Sequence, residues 1–289
     1  MERQQDIAWY PGHMAKARRL LKDQLSRVDI IIELCDARLP LSSRNPELNL
    51  LAPQKPRLLL LNKADLADPI LTRKWLSFFQ QSGLMALAVE AGKKKQPILK
   101  AIDELTKEKI GRAEARGLTR SARAMVIGVP NVGKSTLINF LAGRGAAKVQ
   151  DRPGITRAPQ WIRAGERLEL LDTPGLLWPK LGDPVAARRL AFIAAIRDEV
   201  LNVYQLALQL LEELVDKYPQ GLKSRYSLEN LNARGQALLE EICLRRGFLN
   251  RGGEADLERG AVCVLDEFRE GRLGRVTLES PAEAILEQA

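Results

Sequence analysis

Histidine occurs once in the 289 residues, at His13, and cysteine three times, at Cys35, Cys243 and Cys263. The cysteines are widely scattered. None forms a pair at metal-ligand spacing, and one histidine cannot complete a zinc site with them. Zinc sites and catalysis by several histidines are therefore excluded, and the thiols read as ordinary apolar residues in a reducing compartment. No apolar run approaches the roughly 18 residues needed to cross a bilayer. The N-terminus lacks a short apolar segment with a small-residue cleavage site. Glu2, Asp6 and Asp23, interspersed with Lys16, Arg18, Arg19 and Lys22, argue against a transit peptide. There is no internal repeat and no low-complexity tract. The expectation is a soluble, unprocessed, cytoplasmic protein without a membrane partner.

With 45% hydrophobic residues the chain can bury a sizeable core. The formal charge of +9 is consistent with a polyanionic partner, and equally with a solvated basic face. Short β-branched or leucine-rich runs at 29–34, 57–61, 86–89, 124–129 and 168–172 read as buried strands. Helical periodicity lies between several of them, at 70–81, 97–109 and 135–142, and precedes them at 14–27. This alternation predicts an α/β domain with a mostly parallel sheet and helices on both faces. The Gly- and Arg-rich stretch 111–122 reads as a linker or exposed loop. Beyond Pro179 and Pro184 the strand signal fades and helical patterns take over, with breaks expected near 219–227 and 247–254. The predicted division is 1–180, including an N-terminal segment 1–28, followed by a small all-α domain over 181–289.

GVPNVGKS, Gly128–Ser135, fits the phosphate-loop pattern G-x-x-x-x-G-K-[ST] between a strand and a helix. The expected phosphate ligands are Asn131, Val132, Gly133, Lys134, Ser135 and Thr136. Their amides and the helix N-terminus face the phosphates, Lys134 reaches the terminal ones, and Ser135 ligates Mg²⁺. LLDTPG ends a strand at Asp172, a carboxylate suited to the Mg²⁺ shell, and continues to Gly175, where the backbone can approach the γ-phosphate. Thr156, in DRPGITR between these motifs, is a candidate switch residue and a third Mg²⁺ ligand. Upstream, Asn62-Lys63-Ala64-Asp65 follows four leucines. A carboxylate at Asp65 can accept two N–H bonds from guanine that adenine cannot offer, while Asn62 and Lys63 brace the base and the phosphate loop. Base recognition thus precedes phosphate binding in the chain. A sheet that gathers loops at the carboxyl ends of its strands tolerates that order, because a circular permutation preserves the site.

With these motifs, and with WYPGHMAKA at 9–17, DARLPLSSRNP at 36–46 and FREGRLGRVTLESP at 268–281, the sequence resembles the circularly permuted GTPases of the RbgA/YlqF type across almost the whole chain. The resemblance implies GTP binding and Mg²⁺-dependent hydrolysis to GDP and phosphate. It also implies a role in maturing the large ribosomal subunit, with hydrolysis stimulated by that particle, and a C-terminal helical bundle that binds ribosomal RNA. A monomer is expected. Enzymes of Ras type place a glutamine after D-x-x-G to orient water. Here Leu176 and Leu177 follow, and the resemblance assigns that role to His13. By the same resemblance Asn131 is a candidate K⁺ ligand. One departure is Ala91, where a base-contacting serine is expected.

The C-terminal part carries Lys223, Arg225, Arg245, Arg246, Arg251, Arg269, Arg272 and Arg275, candidates for RNA phosphate contacts or a solvated helical surface. Two other classes stay open on the residues alone. One is a P-loop kinase or ATPase. The other is a non-hydrolysing RNA-binding scaffold stabilised by nucleotide.

Overall fold

The computed structural model describes residues 11–90, 92–143, 160–173 and 183–286, with the side chains of 11–18 and 285–286 left aside. Helix α1 (Pro11–Ser26) leads into β1 (Ile30–Asp36). The short α2 (Leu48–Leu51), β2 (Arg57–Asn62), α3 (Pro69–Gln81), β3 (Met85–Ala88), α4 (Lys95–Glu114), β4 (Ala122–Ile127) and α5 (Lys134–Ala142) follow. Strands β5 (Gln160–Arg163) and β6 (Leu168–Asp172) complete a six-stranded sheet in the order β3-β2-β1-β4-β6-β5. All its pairings are parallel except β5 with β6.

Sequence patterning explains the layers. Every residue of β1 is buried, as befits a central strand covered on both faces. Ile30, Ile32 and Leu34 join Leu58, Leu60 and Val126 on one face, beneath α4 and α5. Alternate residues face the other way: Ile31, Met125 and Ile127 pack with Leu21 and Leu25 of α1, and Leu59 and Leu61 pack with Trp75 and Phe79 of α3. Helix α3 starts where Asp68 accepts N–H bonds from Ile70 and Leu71, with Pro69 in the first turn.

From 183 the chain is helical: α6 (Pro184–Phe192), α7 (Val203–Lys217), α8 (Pro219–Tyr226), α9 (Gly235–Arg246), α10 (Leu257–Arg269) and α11 (Pro281–Leu286). Their apolar faces continue the sheet's main core through Phe192, Leu210, Leu211, Leu239, Val264 and Phe268. The last stretch then returns to the sheet. Ala284 of α11 packs in the Trp75–Phe79 cluster, and the Trp75 indole donates to the Glu279 carbonyl at 3.1 Å.

Three local expectations need correction. Helix α4 runs to Glu114, well into the stretch read as a linker. The break expected near 219–227 is instead a helix, because Pro219 occupies a first-turn position where its missing N–H costs nothing. Strand β5 was not anticipated. It is an edge strand with only Ile162 buried, so it carries almost no apolar period.

Candidate nucleotide-binding site

The register sets the site. Asp36 stands beside Asn62 at the ends of β1 and β2, and Val126 beside Asp172 at the ends of β4 and β6. The loops that leave these strands therefore meet at one edge of the sheet. Between β4 and α5, Gly128 lies so close to the Leu34 carbonyl oxygen that a Cβ there would be 2.4 Å from it. Only glycine permits that approach. Gly133, at φ +100°, opens α5, so the first-turn amides of that helix border the loop.

The Lys134 ammonium is folded back onto the loop, donating to the carbonyl oxygens of Gly128 at 3.0 Å and Val129 at 2.8 Å. Burial pushes it down to about 8, with the Asp172 carboxylate acting in the opposite direction. A phosphate arriving beside it favours the charged form. Asp172 itself is buried, and the next hydroxyl, Thr173, donates to the Val126 carbonyl at 2.7 Å, locking the end of β6 onto β4. Ser135 is half-buried and Thr136 exposed in the first turn of α5.

The segment after β2 joins the phosphate loop directly. The Asn62 side-chain amide donates to the Val132 carbonyl at 2.8 Å, and the Lys63 ammonium donates to the Asn131 carbonyl at 2.9 Å. Lys63 has a left-handed backbone at φ 58°, which turns the chain sharply before exposed Asp65. The Asn131 side-chain amide donates to the Ala194 carbonyl at 2.8 Å, just past α6. His13 lies in the first turn of α1, and its side chain is outside the described residues. Thr156 and Gly175 are also outside them, as is Ala91.

Gly133 gives a sharp test. A Cβ there would meet Asn62 Nδ2 at 2.5 Å, at a φ that side chains resist. Gly133→Ala should break the Asn62–Val132 bond and cost about 1–3 kcal/mol in backbone strain. Guanine-nucleotide affinity, measured by titration calorimetry, should fall at least roughly tenfold, the factor carried by about 1.4 kcal/mol.

Beneath these residues lies a buried ion cluster that motif reading did not anticipate. The Arg38 guanidinium grips Asp36 with two bonds, Nε to Oδ1 at 2.9 Å and Nη2 to Oδ2 at 2.8 Å. The Lys63 ammonium stands 3.3 Å from Asp36 Oδ2. Burial raises the Asp36 carboxyl, but Arg38 and Lys63 outweigh it and hold the group well below the usual carboxylate range. Arg38 also donates to the carbonyls of Phe268 at 3.0 Å and Arg269 at 3.2 Å, and lies over the Phe268 ring. The visible signal was the D-A-R triplet at a strand end.

Several C-terminal cations are occupied within the fold. Arg225 and Arg246 both bond Glu267, and Arg269 grips Asp198 with two bonds of 2.7 Å. The Arg275 side chain donates to the Asp65 backbone carbonyl at 3.0 Å.

The family model for the 50S ribosome-binding GTPase matches residues 123–232, beginning inside β4. The chain is 47% identical over 280 residues to ribosome biogenesis GTPase A of Bacillus cereus, covering 96% of this chain and 95% of that one. It is 35% identical to mitochondrial ribosome-associated GTPase 1 of Ictalurus punctatus, covering 94% and 92%. A GDP-bound YlqF structure superposes with a TM-score of 0.69 at 27% identity, covering 91% of this chain and 100% of the other. YlqF from T. maritima bound to GNP gives 0.65, covering 92% and 98%. Fold and site together define a P-loop GTPase whose elements run in circularly permuted order. Within that class, the chain belongs to the ribosome biogenesis GTPase A family.

Proposed function

We propose that this protein is a GTP-hydrolysing switch that matures the large ribosomal subunit in the cytoplasm, acting as a monomer and stimulated by the particle itself. The observation that carries the reading is the pair of bonds from Asn62 and Lys63 to the Val132 and Asn131 carbonyls. They tie the Asn62–Asp65 segment to the loop over 128–135 from distant parts of the chain, which supports reading the two as one site.

In this reading Asp65 accepts guanine's N–H groups, and the amides from Asn131 to Thr136 hold the phosphates. The Lys134 ammonium turns from its carbonyl partners to the terminal phosphates. The oxygen donors Ser135, Asp172 and Thr156 suit Mg²⁺, which supplies charge to the phosphates when bound. The side-chain oxygen of Asn131 is the K⁺ donor, its amide nitrogen being directed at Ala194. Thr156 and the turn from Asp172 to Gly175 respond to the γ-phosphate. The segment 181–289 is the RNA-binding domain, following the GTPase domain over 1–180. Among the described residues no helix is long and apolar enough to cross a membrane.

With Leu176 in the place of a water-orienting glutamine, His13 orients water once the particle has positioned it. Isolated turnover should therefore be slow. Hydrolysis of GTP measured with and without large subunits should rise at least roughly a hundredfold in their presence, the lower end of what a positioned proton-transfer group contributes. Equal rates would refute activation by the particle.

A further inference from the structure

The turn that carries Asp65 is held from two sides. On its inner side Lys63 reaches the phosphate loop. On its outer side lies residues 271–277, the stretch that returns from α10. The Val276 N–H donates to the Leu66 carbonyl at 2.9 Å. Arg275 Nε donates to the Asp65 carbonyl at 3.0 Å, and the Asp68 N–H to the Thr277 hydroxyl at 3.1 Å. Gly271, at φ +76°, packs so tightly that a Cβ there would stand 2.6 Å from Leu66 Cδ2. Three consecutive residues of this return, Arg275, Val276 and Thr277, thus bond the base-reading turn or the residues just after it.

The same stretch is anchored in the helical segment. The Tyr218 hydroxyl, between α7 and α8, donates to the Thr277 carbonyl at 2.9 Å and accepts the Thr277 N–H at 3.0 Å. Gly221 of α8 sits so close to the Leu273 carbonyl that a Cβ would be 2.1 Å from it. These contacts run from α7 and α8 to the turn that carries Asp65 without passing through the phosphate loop.

We infer that residues 271–277 form a strap that positions the guanine-reading turn, with Arg275 and Tyr218 as positioning residues, so that occupancy of the helical segment and retention of guanine nucleotide are coupled. The inference rests on Asp65 reading guanine. Coupling is reciprocal: a polyanion that captures the exposed Arg275 weakens guanine binding by the factor with which nucleotide weakens that capture.

The test uses the full chain, a fluorescent GDP and an excess of unlabelled GDP, with release followed by stopped flow. Arg275→Gln and Tyr218→Phe should each speed release roughly two- to tenfold, the factor carried by one hydrogen bond. Arg275→Lys, which keeps a donor, should recover most of the loss. Arg275 is exposed, so Arg275→Gln should leave the melting temperature of the nucleotide-free protein unchanged, whereas a merely structural role would lower it. Unchanged release from both variants, or a melting temperature that falls while release stays constant, overturns the strap. If the wild type itself shows no preference for GDP over ADP, the guanine reading fails instead.

Discussion

Arg38→Met is expected to lower the free energy of unfolding by about 3–5 kcal/mol, the loss that follows when one partner of a buried ion pair is removed. Arg38 is among the largest fully buried side chains, and Asp36 beneath it is fully buried too. Methionine refills much of the volume but leaves the carboxylate with the backbone N–H of residue 38, at 3.0 Å, and with Lys63, which is itself committed to the Asn131 carbonyl. The Phe268 and Arg269 carbonyls lose their donor at the same time. Urea unfolding should show the midpoint falling with little change in slope. The double variant Asp36→Asn/Arg38→Met should recover part of the loss, because the uncompensated charge is gone. The pH dependence has a definite sign. The folded Asp36 carboxyl lies below its unfolded value of about 3.9, so its stabilisation is complete above that value and lost as pH falls through the window beneath it. The gap between wild type and Arg38→Met should therefore narrow below about pH 4. A gap that widens there, or a variant as stable as wild type at neutral pH, would remove the ion cluster from the account.

The same cluster shows which features were legible in the sequence. Strands β1, β2, β4 and β6 were legible because nearly every residue in them is buried, and the short leucine run Leu58–Leu61, bounded by polar residues, has the length of a strand. The placement of the 128–135 loop after β4 and of the Asn62–Asp65 segment at the end of β2 was legible because each follows a buried strand directly. Strand β5 was not, since an edge strand with one buried residue carries no period. The strap was invisible for a different reason. The Arg275 side chain reaches the Asp65 carbonyl at 3.0 Å, and the Val276 N–H bonds the Leu66 carbonyl at 2.9 Å, across more than two hundred residues of chain. No local pattern records such a pairing. The basic C-terminal residues were misleading in part: counted as charge they pointed outward, yet Arg225, Arg246 and Arg269 meet carboxylates within the fold.

Asp65→Asn is expected to weaken GTP binding at least roughly a hundredfold while leaving the fold intact. Asp65 is exposed, and the Arg275 bond goes to its backbone carbonyl, which substitution retains. The loss has two parts. A charged acceptor for two guanine N–H groups becomes a neutral one, and the new amide N–H faces a donor. Sites built to hydrogen-bond a ligand reject a mismatched one by factors far larger than apolar pockets reach, because unpaired polar groups stay buried. Xanthine carries a carbonyl where guanine carries its exocyclic amine. The asparagine amide can donate to that oxygen, so Asp65→Asn should bind XDP more tightly than GDP, the reverse of wild type. Competition titrations against a fluorescent nucleotide separate the possibilities. If Asp65→Asn binds GTP as wild type does and ATP competes equally, Asp65 does not read the base. A reversed preference with Lys63 and Asn62 untouched ties base choice to one carboxylate, held in place by the lysine turn on one side and the returning chain on the other.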